Sequence, residues 1–188
     1  MGSAVRDRVQ RLTWKVHDTV RILLGGAVAG FSAFTDTQIG GVKKTDQQSN
    51  MMEARRIVGN MPYKLHGFQI YIPMLANDNT GNTVRDFEEL GRAFLEVKIE
   101  KAVYYECLLR DIPAGQGTYI QSDAAAAALI GNCNGMPLRA NVFLFEEPID
   151  VIENEGLELK GTWNAPCTVH ATLDMVITAI TTVDRPPR

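Results

Sequence analysis

Apolar and polar residues alternate along much of the chain after residue 62, and this period of two predicts β-strands. The clearest case is a hairpin in which residues 94–99 and 103–109 are the strands and Glu100-Lys101 is the tight connection. Further strand patterns lie at residues 65–72, 141–145, 156–161 and 168–183. Residues 141–145 are apolar on both faces, which is typical of a central strand in a sandwich.

The amino-terminal segment has a different pattern, with apolar residues three or four positions apart. These steps fit one face of an α-helix over residues 4–24, which Gly25-Gly26 would end. The apolar residues are Val5, Val9, Leu12, Val16, Val20 and Leu23. A strand from Trp14 to Ile22 is the competing interpretation, with less clean alternation. We expect the helix, followed by a turn and packed connector up to residue 34, since the apolar run there is too short to span a bilayer of roughly 30 Å.

Two further short helices are expected in loops. Thr83 is a suitable N-cap for a helix that continues through Gly91, and Asp123 for one over residues 123–130. Many short strands, few helices and no βαβ alternation predict an all-β fold, a single antiparallel β-sandwich. The expected organisation is a basic arm, helix and connector at residues 1–34 and a sandwich domain at residues 35–188.

Charge divides the chain into a basic beginning and a mildly acidic body. The basic residues of the arm are Arg6, Arg8, Arg11, Lys15 and Arg21. They make the arm a candidate for contact with nucleic acid or anionic lipid, although a solvated helix face explains them at least as well. Residues 146–158 contain six carboxylates and no basic residue. The net charge of −3 argues against a protein that coats nucleic acid, which needs a strongly basic face.

The residue types that carry enzyme chemistry do not form a recognisable motif. The sequence has no P-loop, nucleophile elbow, HExxH pair or dinucleotide fingerprint. His17-Asp18, Glu88-Glu89 and Glu146-Glu147 are adjacent, so regular structure would turn the members of each pair apart. We therefore expect no enzymatic activity, no bound metal and no cofactor.

The cysteines and the amino-terminal sequence indicate a reducing compartment. Cys107, Cys133 and Cys167 are odd in number and far apart, which favours buried thiols over disulfides. They form no CxxC pair and are separate from the histidines, so a zinc site has little support. The charged start has no clean apolar region ahead of a cleavage site, so a signal peptide is not expected.

Three stretches of the chain resemble the major capsid proteins of tailless, icosahedral, membrane-containing bacteriophages. The first runs from Lys44-Thr45-Asp46 through Asn50-Met51-Met52-Glu53 and Asn60-Met61-Pro62 to residues 68–72. The second joins residues 95–99 and 103–106 to Ile112-Pro113-Ala114-Gly115. The third is Phe145-Glu146-Glu147-Pro148-Ile149 with Leu157-Glu158-Leu159 and the long final strand. As a pattern of strands and loop motifs, the resemblance covers roughly residues 40–182.

The resemblance implies a single jelly roll of eight strands in two sheets, and a major capsid subunit whose copies group into capsomers over an internal membrane. The implied partners are other copies of the chain, a second capsid protein and lipid of that membrane. No small-molecule substrate and no sequence-specific nucleic acid is expected. The basic arm would face inward, toward lipid or a neighbouring subunit, and loops 76–83 and 114–138 would lie at the capsomer surface or between subunits. The implied location is the virion, with assembly in the host cytoplasm.

Two other functions remain open. One is a minor virion protein on the same fold, such as a penton, spike base or cement subunit. The other is a carbohydrate-binding β-sandwich, which would need surface aromatic residues, yet Trp14 lies in the arm and Trp163 alone in a loop. An enzyme of the cupin kind needs clustered histidines with a carboxylate, and His66 and His170 fall short of that.

Overall fold

The computed structural model describes the chain at residues 10–23, 25–51, 53–58, 61–72, 82–112, 119–123, 129–133, 142–170 and 172–185. These residues form twelve strands, one α-helix and a 3₁₀ turn at Leu109–Asp111. In chain order the elements are β1 (Gln10–Ile22), β2 (Val28–Ala33), β3 (Gln38–Ile39), β4 (Val42–Lys43), β5 (Tyr63–Tyr71), α1 (Asn82–Gly91), β6 (Phe94–Ile99), β7 (Ala102–Leu108), β8 (Tyr119–Asp123), β9 (Leu129–Cys133), β10 (Phe143–Val151), β11 (Leu157–Cys167) and β12 (Leu173–Arg185).

Eight long strands form two antiparallel sheets. The strand order is β1-β12-β5-β10 in the first sheet and β2-β11-β6-β7 in the second. The remaining strands form two small hairpins, β3 with β4 and β8 with β9. The architecture is therefore all-β, as the alternating sequence pattern predicted.

The inward faces of the two sheets supply one apolar core. On β12 the residues Leu173, Met175 and Ile177 are buried, and on β11 Leu157 and Leu159 are. Each follows the period of two of its strand, and each fully buried aliphatic side chain stabilises the fold by about 1.5–3 kcal/mol. The sheets also touch at both flanks, because β1 contacts β2 and the Tyr105 ring of β7 lies 5.2 Å from that of Phe143 on β10. This is the arrangement of a β-sandwich.

The helix predicted over residues 4–24 is wrong for the part that the structure describes. Residues 10–22 are strand β1, which pairs along its whole length with β12, from Gln10 opposite Arg185 to Ile22 opposite Leu173. Even-numbered residues of β1 face the core, whereas Leu23, which the helix would bury, is 58% exposed. Tertiary pairing with a long partner strand decided the structure of this segment, and its helical spacing did not.

The segment expected to be a connector contains a strand of the second sheet. Residues 28–33 form β2, which pairs with β11 from Leu159 opposite Ala33 to Cys167 opposite Val28. Within the range assigned to the arm and connector, β1 and β2 thus contribute one strand to each sheet.

Most other sequence predictions of elements are confirmed. The strand at 65–72 is β5, the hairpin at 94–109 is β6 and β7, the helix through Gly91 is α1, and the last two strands are β11 and β12. Two predictions are wrong. Asp123, Leu129 and Ile130 belong to the β8–β9 hairpin instead of a helix, and β10 is an edge strand instead of a central one. The five alanines of 124–128 and the loop at 77–82, apart from Asn82, lie outside the described residues.

A buried ion pair fixes the segment between β2 and β5 against β1. Asp18 faces inward from β1 and is fully buried, and Lys44 donates from Nζ to its Oδ1 over 2.7 Å. The other oxygen, Oδ2, accepts the backbone N–H of Phe34 at 2.8 Å. Phe34 has a φ of 66°, a left-handed conformation that costs a non-glycine residue about 1–3 kcal/mol and persists only when its surroundings hold it.

The same segment covers the outer edge of β1. The Asn50 side chain accepts the backbone N–H of His17 at 2.7 Å and donates to the carbonyl oxygen of Lys15 at 3.0 Å. Thr19 donates its hydroxyl to the carbonyl oxygen of Gln48 at 2.7 Å, and Asp18 forms a β-bridge with Ser49. The backbone groups of β1 that would otherwise offer an open edge are thereby engaged along residues 15–19.

Replacing Lys44 with methionine should destabilise the fold severely. The substitution leaves the Asp18 carboxylate buried without its counter-charge, and breaking a buried pair in this way costs about 3–5 kcal/mol. The measurement is the free energy of unfolding in urea.

Arg11→Met is the matched control, because it removes an ion pair from the same strand at the surface. Arg11 and Asp184 are 66% and 48% exposed, and such a pair is worth less than about 1 kcal/mol. The double variant Asp18→Asn/Lys44→Met should recover much of the loss. Equal stability of Lys44→Met and Arg11→Met would contradict the role given to the buried pair.

Candidate assembly surface

Edge strands β7 and β10 lie side by side on one flank of the sandwich. Each closes its own sheet, and their side chains meet across the gap between the sheets, where the Tyr105 ring lies 5.2 Å from Phe143 and 5.1 Å from Phe145. We call this flank the β7–β10 edge. It is defined by Val103, Tyr104, Tyr105, Glu106, Phe143, Leu144, Phe145, Glu146 and Glu147.

Apolar side chains are exposed on the β7–β10 edge. Leu144 is 59% exposed, Tyr104 51% and Val103 44%. An open groove of about 430 Å³ runs between the two strands, with the rings of Tyr104, Tyr105 and Phe143 in its lining. Exposed apolar and aromatic residues that form a continuous patch are typical of protein contact sites.

Aromatic packing supports the groove from below. Phe145 meets Phe68 of β5 edge-on at 6.0 Å, and Phe68 in turn lies 6.2 Å from Phe34. Aromatic pairs at these separations each contribute about 0.5–1.5 kcal/mol beyond the area that they bury. The groove therefore rests on a chain of packed rings that reaches the core at Phe34.

At the groove, β7 contains a β-bulge and β10 a longer irregularity in its register. In β7 the register passes from Val97 opposite Tyr105 to Lys98 opposite Val103, which leaves Tyr104 without a partner. In β10 it passes from Leu144 opposite Gly67 to Ile149 opposite Leu65. Bulges redirect side chains and interrupt the row of free backbone groups that would pair with another strand. Contacts at this edge are therefore expected through side chains.

Carboxylates border the apolar patch. Glu106 of β7 and Glu146 and Glu147 of β10 are exposed, and none of the three forms an ion pair with another described residue. Neither strand contains a lysine or arginine. Burial first, and then Cys107, Asp111 and Glu146, raise the pKa of Tyr105, so its hydroxyl stays protonated in the groove at neutral pH. The β7–β10 edge is an apolar surface with an acidic border.

The basic residues singled out in the sequence lie on the opposite flank. Arg11, Lys15 and Arg21 share the outward face of β1, whereas Arg6 and Arg8 lie outside the described residues. Arg21 donates to both oxygens of Asp174 at 2.7 and 2.8 Å, which lowers the pKa of that carboxyl, and Arg11 donates to Asp184 at 3.0 Å. Lys15 forms no ion pair with another described residue.

One buried carboxylate and a histidine meet near α1. Asp86 accepts the backbone N–H of His170 at 2.7 Å, and its other oxygen lies 2.7 Å from Nδ1 of the same residue. Cys167 is near, but burial, Glu89 and Asp86 raise the pKa of its thiol to about 11, so it is not a thiolate at neutral pH. The pair fastens α1 to the connection between β11 and β12, with Trp163 Nε1 donating to the carbonyl oxygen of Glu89 at 3.0 Å.

Sequence reasoning missed the β7–β10 edge because it took residues 141–145 for a buried central strand. A signal was present in Glu146-Glu147-Pro148, since proline in a strand is confined to edges and bulges. The carboxylates of residues 146–158 are visible in the sequence, but the sequence does not show that Glu146 and Glu147 border an apolar patch. In the part of the chain that the structure describes, no helix combines the length and apolar character needed to cross a membrane.

Gly67→Ala should displace β10. A Cβ at Gly67 would collide with the carbonyl oxygen of Phe143 and come within 2.9 Å of Leu144 Cα. Forced overpacking of this kind costs about 1–3 kcal/mol, which urea unfolding measures. Gly26→Ala is the control, because its nearest neighbour would be 3.6 Å away, an ordinary contact, and the variant should stay within about 0.5 kcal/mol. A Gly67→Ala protein as stable as Gly26→Ala would contradict the close approach of β5 and β10.

His66, which the register of β5 with β10 and with β12 skips, should make folding stability depend on pH. Burial first, and then Arg11 and Lys64, lower the pKa of His66 from 6.5. The folded protein thus binds this proton less tightly than the unfolded chain. The associated stability is fully present above about pH 6.5 and is lost as the pH falls toward the folded pKa.

The measurement is the unfolding free energy of wild type and His66→Gln at pH 7.5 and 5.5, with an NMR titration of the His66 ring. The difference between the two pH values should be smaller in His66→Gln. A ring that titrates above pH 6.5 would contradict the prediction.

No protein-family model, no curated protein and no solved structure matches this chain. Function therefore has to be inferred from the sheet topology, the exposed apolar edge and the distribution of charge.

Proposed function

We propose that the chain is a viral structural protein, the major capsid subunit of an icosahedral shell, and that its sandwich is a single jelly roll. Its work in this proposal is to make contacts with other copies of itself. The observation that carries the proposal is the order of the eight long strands, and the β7–β10 edge supplies the contact surface.

Strand pairing supports the jelly roll. Numbered one to eight along the chain, the long strands give the sheet orders 1-8-3-6 and 2-7-4-5. Strand one thus pairs with eight, two with seven, three with six and four with five. Such pairs arise when one long antiparallel ribbon is rolled up into two sheets. Eight strands in two packed Greek-key sheets are the architecture of jelly rolls, which occur in viral capsids, lectins and cupins.

The described aromatic residues do not favour a carbohydrate-binding module. Trp163, which the sequence placed in a loop, lies in β11 and is 8% exposed, with its indole N–H engaged by α1. Sugars stack on exposed rings, and the exposed ring of the β7–β10 edge, Tyr104, stands next to Leu144 and Val103 in an apolar patch. This composition fits a protein partner better than a polar ligand.

The sandwich interior does not resemble the inside of a cupin. His66 lies at a half-buried position of β5 and bonds to Thr182, while His170 is held by Asp86 beside α1. Between the sheets the chain packs large apolar residues, among them Leu65, Phe68 and Leu95. Within the described residues, no three metal-ligating side chains meet.

The expected location, in the virion after assembly in the host cytoplasm, and the expected partners belong to the proposal as well. The partners are further copies, a second capsid protein and internal membrane lipid. For the lipid contact the described cations offer less than the sequence suggested, because Arg11 and Arg21 are each paired with an aspartate. Lys15 forms no ion pair with another described residue and is therefore available for such a contact. Each basic residue near an anionic surface contributes about 1 kcal/mol, so the copy number of subunits on the membrane would decide its strength.

The experiment is light scattering of the purified chain across protein concentration, followed by electron microscopy. The wild type should form closed oligomers or shell-like particles of defined size. Leu144→Asp should need at least about a tenfold higher protein concentration to assemble, because it places an unpaired charge in the apolar patch. Val42→Asp is the matched control and should assemble as the wild type does, since Val42 is 68% exposed on β4, away from the edge.

A wild type that stays strictly monomeric at high concentration would overturn the proposed function. Assembly by Leu144→Asp equal to that of Val42→Asp would leave the function standing and remove the β7–β10 edge from it. Purified particles that contain the chain in a few copies each would point to the alternative, a minor virion protein.

A further inference from the structure

We infer that the β7–β10 edge of one copy docks against the outward face of β1 in the next copy, so that the contact joins two different surfaces. This inference rests on the proposed function and names the partner surface for its contact site. We call the second surface the β1 face. It is defined by Arg11, Thr13, Lys15, His17 and Arg21.

Like charges exclude the simplest contact, in which two β7–β10 edges meet across a two-fold axis. Each copy would bring Glu106, Glu146 and Glu147 to that contact, and neither strand has a lysine or arginine to offset them. Juxtaposed like charges in an interface cost several kcal/mol. An occupant for this edge must therefore offer cations together with some apolar surface.

Among the described strands, β1 meets this requirement best. Its outward residues include three cations and no carboxylate, since Asp18, the carboxylate of this strand, faces inward and is buried. Other strands with a basic residue have at most one lysine, as β4, β5, β6 and β11 do, or end on a single arginine, as β12 does. Beside the β1 face lie Ile180, opposite Lys15, and Thr182, opposite Thr13, both partly exposed, and they give the apolar and neutral part.

The carboxylates near the β1 face leave its middle basic. Asp184 and Asp174 of β12 pair with Arg11 and Arg21 at the two ends of the face. Asp46 is exposed next to His17, whose Nε2 lies 3.1 Å from the Asp46 carbonyl oxygen, and Lys43 is exposed on β4. Lys15 lies between the two arginine–aspartate pairs, and it forms no ion pair with another described residue.

Strand β1 and strand β10 of the β7–β10 edge lie at opposite ends of one sheet. In the order β1-β12-β5-β10 they are the first and last strands, and one register row runs from Lys15 through Ile180 and Gly67 to Leu144. A contact between opposite ends is head-to-tail, so a bound pair of copies retains one free β7–β10 edge and one free β1 face. Such contacts close into rings when the rotation between copies allows it, which is the geometry of a capsomer.

Charge reversal on each surface tests the inference. The edge variant is Glu146→Lys/Glu147→Lys, and the strand variant is Thr13→Glu/Lys15→Glu. At low salt each alone should raise the concentration needed for assembly about tenfold or more, because each surface then meets its partner with like charge. A mixture of the two variants, and a protein with all four substitutions, should assemble again, since cations then face carboxylates.

Glu88→Lys/Glu153→Lys is the matched control, because both residues are exposed and lie on α1 and on the turn after β10. It should assemble as the wild type does, and all variants should keep the wild-type melting temperature. The measurement is light scattering at several salt concentrations.

Three results would overturn the inference while the proposed function stands. The first is wild-type assembly by both single-surface variants. The second is failure of the mixture and of the four-substitution protein to assemble. The third is formation of two-fold dimers between the edge variant and the wild type, which would make the contact edge to edge. A wild type that does not assemble under any condition would instead remove the proposed function on which the inference rests.

Discussion

The burial of Asp18 beside Lys44 is the interaction on which the arrangement of the β1 flank depends. A carboxylate at an inward position of β1, among Val16 and Val20, costs several kcal/mol of lost hydration unless its charge and lone pairs are matched. Lys44 supplies the charge, and the Phe34 N–H supplies a hydrogen bond to the second oxygen. Because both partners come from the segment after β2, the core is complete only when that segment lies against β1.

The two flanks of the sandwich differ as a consequence. On the β1 side, residues 44–50 occupy the outer edge of the strand and satisfy its backbone groups. On the other side, β7 and β10 have no covering segment among the described residues, and the register of each is interrupted instead, by a bulge in β7 and a longer irregularity in β10. Edge strands are a hazard for unspecific aggregation, and covering and bulging are two ways of limiting it. The register breaks limit strand addition, while the exposed Leu144 and Tyr104 keep an apolar surface for side-chain contact.

The sequence was sufficient for the elements whose period of two is unambiguous. Strands β6 and β12 follow from alternation, because one face of each is buried and the other is partly exposed. For β1 the pattern was ambiguous, since Leu12, Val16 and Val20 are four apart and fit a helix and a strand equally well. Trp14 and Ile22 distinguish the two, and what decides is the pairing with β12, more than 150 residues away in sequence. No local rule contains that contact.

The candidate surface could not be derived from the sequence for a related reason. Phe143, Leu144 and Phe145 are as apolar as a core strand, and hydropathy does not tell burial by the same chain from burial by a partner. The sheet order places this strand at an edge, and the cross-sheet contacts of Tyr105 place β7 beside it. The strand pairing that supports the jelly roll likewise depends on contacts between distant segments, so the sequence yielded the all-β class but could reach the topology through resemblance alone.

Apolar burial and charge have different parts in the proposed contact. Tyr104 and Leu144 are 51% and 59% exposed, so covering what remains of each would contribute about half of a full burial, roughly 0.8–1.5 kcal/mol, whichever way the partner approached. Exposed charge pairs contribute less, typically below about 1 kcal/mol, but they penalise the approach of one β7–β10 edge to another and favour the β1 face. Strength thus comes from the patch and direction from its acidic border. In the proposed shell every copy would make the contact twice, so modest individual contacts would be sufficient for stability and weak enough for misplaced subunits to leave during assembly.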